Sequence, residues 1–160
     1  MNDNEPPVEK IDSLIKLYSN GKPQKVVDEI NELEKNFKNS PLLFNIKGAC
    51  YIALGQMYNA IDSYEHAVAL KPDYADSHYN LGNSLRAIDK LEESIQSYAN
   101  AISALPEFFE AAFNLSVSLM DLGRINEAIE KFEQALLIKP NDINSRINLA
   151  SSERNFLISQ

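Results

Sequence analysis

Apolar residues recur three and four positions apart along almost the whole chain, as in Ile125, Ala128, Ile129, Phe132, Ala135 and Leu136. That spacing places them on one face of an α-helix. No stretch alternates apolar and polar residues with the period of two that a half-buried strand requires. Glycine and proline punctuate the pattern. Pro72, Pro106 and Pro140 each follow a helical stretch and stop it, because proline lacks an amide donor and disfavours helical geometry in the residue before it. Gly55 and Gly123 follow Leu54 and Leu122, where a left-handed C-cap favours glycine, and Asp89 takes that place once. The pattern predicts nine helices, at 8–20, 23–37, 41–54, 57–70, 75–88, 91–104, 109–122, 125–138 and 143–157. An all-α chain follows.

The punctuation is itself periodic. Pro72, Pro106 and Pro140 are spaced by 34 residues, as are Gly48 and Gly82, and Gly21, Gly55 and Gly123 fall on a second position of the same period. Ala67, Ala101 and Ala135 keep that phase, with Tyr64, Tyr98 and Phe132, and with Leu81, Leu115 and Leu149. The frames are 7–40, 41–74, 75–108 and 109–142, after a flexible leader at 1–6. The remainder, 143–160, is a capping helix or a truncated fifth unit.

This unit resembles the tetratricopeptide repeat, a 34-residue helix-turn-helix with a large residue, Leu-Gly and Tyr on its first helix, Ala-x3-Phe-x2-Ala on its second and Pro after it. The second frame carries Phe44, Gly48, Tyr51, Ala60, Tyr64, Ala67 and Pro72, and the third carries Leu81, Gly82, Leu85, Ser94, Tyr98, Ala101 and Pro106. The fourth has Leu115, Ser116, Leu119, Ala128, Phe132, Ala135 and Pro140. The first frame departs most, with Leu14 at the Gly position and Lys38 at the Pro position. The resemblance implies a right-handed superhelical α-solenoid whose first helices line a concave groove. Gly48, Gly82, Ser116 and Ala150 share one mid-helix position. Glycine there costs about 1 kcal/mol relative to alanine, so close packing between the two helices of a unit is expected.

On the first helices, Asn80, Asn114 and Asn148 recur once per unit at position six. An asparagine offers both an acceptor and donors, so a ladder of them matches both backbone groups of an extended peptide. Layers about 10 Å apart span roughly three extended residues at ~3.3 Å each. The arrangement is similar to the asparagine ladder in the repeat domain of O-linked N-acetylglucosamine transferase. Tyr79 and Phe113 at position five, with Asn83, Arg86, Asn144 and Arg154, complete the candidate peptide-binding set. An equally simple role for Tyr79 and Phe113 is to pad neighbouring helices. A clamp for acidic chaperone tails would need Lys at position five, which holds Asn45, Tyr79 and Phe113.

Charge narrows the partners. With 15 basic and 23 acidic residues the net charge is −8, and the isoelectric point is near 4.8. That balance disfavours nucleic acid and anionic membranes. One cysteine, Cys50, makes neither an intrachain disulfide nor a zinc cluster, and the polar start lacks the apolar core of a signal peptide. A cytoplasmic address is expected. His66 and His78 lie in different helices, and no third ligand joins His66 and Asp62, so no metal and no cofactor is expected. No nucleophile-base pair or phosphate loop is present, so catalysis is not expected. The expected function is a non-catalytic module that binds a partner's peptide in the groove. The alternatives are an N-terminal recruiting domain of a larger enzyme, of glycosyltransferase, sulfotransferase or hydroxylase type, and self-association through the apolar end Phe156, Leu157 and Ile158.

Overall fold

A computed structural model describes residues 5–158. Residues 1–4 of the expected leader lie outside that range. Among the described residues there are nine helices and no strand: α1 Val8–Ser19, α2 Pro23–Leu33, α3 Pro41–Ala53, α4 Met57–Leu70, α5 Ala75–Ala87, α6 Leu91–Ala104, α7 Phe109–Asp121, α8 Ile125–Ile138 and α9 Ile143–Ile158. α1 and α2, α3 and α4, α5 and α6, and α7 and α8 form pairs, each joined by three residues. So short a link turns the chain back on itself and makes the pair antiparallel.

The pair turns share one device. At the end of α7, Gly123 has φ +74°, its amide donates to the Met120 carbonyl and the Arg124 amide donates to the Leu119 carbonyl. This is a Schellman cap, which uses a left-handed residue to satisfy the helix's last carbonyls. The same two bonds close α1, α3 and α5, and in α5 the left-handed residue is Asp89 at φ +62°. Aspartate tolerates that conformation better than most side chains. The second helices stop as expected. Lys71, Leu105 and Lys139, each before a proline, are pushed to extended ψ values of 89°, 92° and 81°.

The main departure is α2, which ends at Leu33 and not at 37. Its frame has Lys38 where the others have proline, and the chain leaves the helix in turns closed by the Glu32 and Leu33 carbonyls. Phe37 is thereby turned onto the core of Leu14, Val26, Val27, Ile30, Leu43 and Cys50. The leader's last residues are engaged here too, with Pro6 buried and the Glu5 carboxylate accepting from the Ser40 hydroxyl.

The chain divides into two compact units, residues 1–77 and 78–160. The first is built on the core just named. Cys50 belongs to it, fully buried, and burial lifts its thiol from the ordinary 9.0 to about 11. The folded state thus holds the proton that the unfolded chain releases near pH 9. This contribution to stability is complete below pH 9 and is lost as the pH rises through about 11. Two pH units correspond to about 100-fold less thiolate, so alkylation near pH 8 should be at least that much slower in the native protein than in denaturant. Equal rates would show that the thiol is open.

The second unit holds Tyr98, Leu115, Leu119, Ala128 and Phe132 as its buried apolar centre, flanked by Tyr79, Phe113 and Leu149. Gly82 lies against Tyr98 so closely that a Cβ there would sit 2.6 Å from Cε1 of the ring. Gly48 meets Tyr64 at the same distance in the first unit. The repeated glycine is therefore a slot for the ring of the second helix.

Candidate functional site

All nine candidate binding residues fall in the second unit. Helix α5 carries Tyr79, Asn80, Asn83 and Arg86 at steps that share one side, and α7 presents Phe113 and Asn114 beside it. Asn83 is at the centre. Its Oδ1 accepts from Tyr98 Oη at 2.8 Å and from Asn114 Nδ2 at 2.9 Å. Two donors on one oxygen fix which end of the amide is which, so Asn83 keeps its two Nδ2 hydrogens for other partners. Burial pushes the Tyr98 phenol up to about 12, against the downward pull of the Arg86 charge and the Asn114 amide. The Tyr98 hydroxyl therefore stays a donor at physiological pH.

Arg86 reaches α7, where Nη2 donates to Asp121 Oδ2 at 2.7 Å. Its Nε is buried and finds no acceptor among the described residues. Asn83, Arg86, Ala87, Asp89, Leu91, Tyr98 and Asp121 line a cleft of about 390 Å3. A buried donor without an acceptor is costly, and it belongs to a side chain that lines this cleft.

The ladder residues differ. Asn114 is tied to Asn83, Asn80 is half-buried with its main-chain carbonyl accepting from Ser84 Oγ at 2.8 Å, and Asn148 is half-buried on α9. Tyr79 and Phe113 place their rings in packing, Tyr79 at 4.9 Å from Phe108 and 6.1 Å from Tyr98, and Phe113 at 6.0 Å from Phe132. Asn144 and Arg154 are exposed on α9. The cleft thus gathers Asn83 and Arg86, with Asn114 bonded from behind.

Sequence reasoning missed Tyr98, Asp89 and Asp121 as members of the site. Tyr98 was absorbed into the packing pattern, although its hydroxyl needs a partner once buried. Asp121 follows Arg86 by 35 residues, one period plus one, and that offset was the available signal. Elsewhere, His66 donates through Nδ1 to the Asp62 carbonyl at 2.7 Å and stacks on Phe44 at 5.2 Å. No group of three or more His, Cys, Asp or Glu stands within reach of one metal ion among the described residues. No described helix is long and apolar enough to cross a membrane.

Two family models match, a TPR repeat over residues 48–89 and a tetratricopeptide repeat over 75–143, which together span well over half of the chain. The chain belongs to the tetratricopeptide-repeat family, and its fold is an all-α repeat solenoid. Among solved structures it is similar to MamA, with 23% identity, 88% of this chain and 82% of that chain covered, and a TM-score of 0.82. MamA from Desulfovibrio magneticus RS-1 is similar at 17% identity, with coverages of 91% and 88% and a TM-score of 0.77. The first TPR of Spaghetti (RPAP3), bound to the HSP90 peptide SRMEEVD, is similar at 19% identity, with coverages of 73% and 93% and a TM-score of 0.69. These likenesses concern the fold. No curated protein sequence matches the chain. The family and the fold make this a protein-interaction module.

Proposed function

We propose that the chain is non-catalytic and binds an extended peptide segment of a partner protein along the face formed by α5, α7 and α9. The observation that carries this is the fixed Asn83 amide: its Oδ1 is taken by two intrachain donors, which leaves its Nδ2 hydrogens for a peptide in the cleft that the Arg86 side chain also lines. A peptide supplies acceptors at every residue through its carbonyls. Asn114 turns its donor to Asn83 and so keeps its own carbonyl for a peptide N–H. Asn80 and Asn148 extend the contact to either side, with Tyr79, Phe113, Asn144 and Arg154 at its borders. The similar repeat domain of Spaghetti holds a peptide, which supports peptide capture as a use of this fold. An acidic tail is disfavoured, because Tyr79 and Phe113 stand where a basic clamp would need lysine. The single buried thiol suits a reducing compartment such as the cytoplasm.

The double substitution Asn80→Ala with Asn114→Ala should keep the helix content and weaken peptide capture by about 1 to 3 kcal/mol, through lost hydrogen bonds. A peptide array read against the parent protein measures it. Unchanged affinity would remove the asparagines as the binding element.

A further inference from the structure

The charges around the cleft do not balance. Arg86, the one cation of the lining, is already held by Asp121, with Nη2 to Oδ2 at 2.7 Å. Asp89 also lines the cleft, and its carboxylate has no cationic partner among the described residues. The neighbouring Lys90 reaches Glu93 at 3.7 Å, and Arg124, on the next pair turn, holds Glu127 at 2.6 Å and Glu92 at 3.1 Å. Two carboxylates and one guanidinium leave the cleft with a net negative charge.

Local structure does not ask for the Asp89 carboxylate. Its backbone is left-handed at φ +62°, and the other three pair turns fill that place with Gly21, Gly55 and Gly123, which reach this conformation at less cost. The dipole at the start of α6 already has Glu92 and Glu93 in its first turn. The aspartate therefore gives the cleft a charge that folding does not use. In a chain of net charge −8, a cation is drawn towards such a place and an anion is repelled.

The rest of the lining says which cation. Ala87 and Leu91 give the cleft an apolar part, and Asn83 brings amide donors for a main-chain carbonyl. Lysine and arginine have the matching halves, an aliphatic stem and a cationic head. The volume of about 390 Å3 is ample for one such side chain. A glutamate would face Asp89 and Asp121 while Arg86 is already engaged, and like charges placed together cost affinity and reject the wrong partner. We propose that the cleft selects a basic peptide: a lysine or arginine enters it, its cation bound by Asp89 and Asp121 and its stem against Ala87 and Leu91. This rests on the reading of the cleft as a peptide site and names the chemistry of the segment it takes.

The test presents an array of random peptides to the full 160-residue chain. The parent protein should enrich lysine and arginine among the captured sequences and lose affinity for them as salt rises. Asp89→Gly installs the residue of the other three turns, so its thermal midpoint should not fall. Its affinity for the selected basic peptides should drop on the order of 10-fold. Glu133→Gln makes an equal change of charge at an exposed position on α8, outside the cleft lining, and should keep both the basic preference and the affinity. Equal losses in Glu133→Gln and Asp89→Gly overturn the proposal, because the selection then belongs to the net charge of the chain. Captured peptides without basic enrichment, or with an acidic enrichment that Arg86→Gln removes, overturn it as well and leave the peptide site standing. Capture of no peptide at all overturns both the site and its selectivity.

Discussion

Replacing Gly82 with leucine should destabilise the protein by about 1 to 3 kcal/mol, lowering the thermal midpoint by roughly 2 to 4 °C for each kcal/mol. The reason is the slot in which Tyr98 lies. A Cβ at Gly82 falls 2.6 Å from Cε1 and 2.7 Å from Cδ1 of the ring, inside any real contact distance. The ring cannot swing aside, since Tyr98 is fully buried and its hydroxyl is anchored to Asn83. Relief therefore requires either the two helices to separate or the Tyr98 to Asn83 bond to break. Alanine at Gly82 has the same clash with a smaller side chain, and its better helix propensity, about 1 kcal/mol, works in the opposite direction. A graded loss from Gly82→Ala to Gly82→Leu in urea unfolding is the expected result. Gly48→Leu should behave likewise through Tyr64. A Gly82→Ala protein as stable as the parent would show that the ring yields and that the glycine has another reason.

The period of 34 made the slot visible in the sequence as a position and hid its occupant. Gly48, Gly82 and Tyr64, Tyr98 each stood out as recurrent, yet nothing in the spacing joined one to the other. Helix ends were readable where proline and glycine set them, at Pro72, Pro106, Pro140, Gly55 and Gly123. The end of α2 was not, because Lys38 leaves that boundary to the tertiary pull of the core on Phe37. The candidate site was half readable. Asn83, Arg86 and Asn114 stand out for lying on the first helices; Asn83 and Arg86 share one cleft wall, and Asn114 is bonded to Asn83 outside the lining. Tyr79 and Phe113 suit a groove by type, and their half-buried rings also pack against Tyr98, Phe108 and Phe132. An aromatic at position five has two sides to choose from, and composition does not say which. The contacts between successive first helices obey a simple offset: Asn83 with Asn114 at 31, Asn45 with Ser77 and Met120 with Ser152 at 32, and Arg86 with Asp121 at 35. Within each compact unit, successive repeats meet near one full period. Arg86 and Asp121 are a pair of opposite charge at that offset.

Phe132→Ala should have the largest effect of any single truncation in the second unit, a loss of about 3 to 5 kcal/mol. The side chain has no exposed surface, meets the Phe113 ring edge-on at 6.0 Å and fills the centre among Tyr98, Leu115, Leu119 and Ala128. Helices too short to persist alone are held by such packing, so the hole loosens α7, α8 and α9 together. Leu137, five residues further along the same helix, is 83% exposed, and Leu137→Ala should change stability by no more than ~0.5 kcal/mol. In a repeat array the damage stays close to its origin, because stability is a sum of local and nearest-neighbour contributions. Cys50, the single cysteine, lies in the core of the other unit and reports on it independently. In Phe132→Ala, helicity should begin to fall at a denaturant concentration where the Cys50 thiol is still protected from alkylation. Loss of helicity and exposure of Cys50 at one shared, lowered midpoint would mean that the chain unfolds as a single cooperative block, and the local picture would have to be given up.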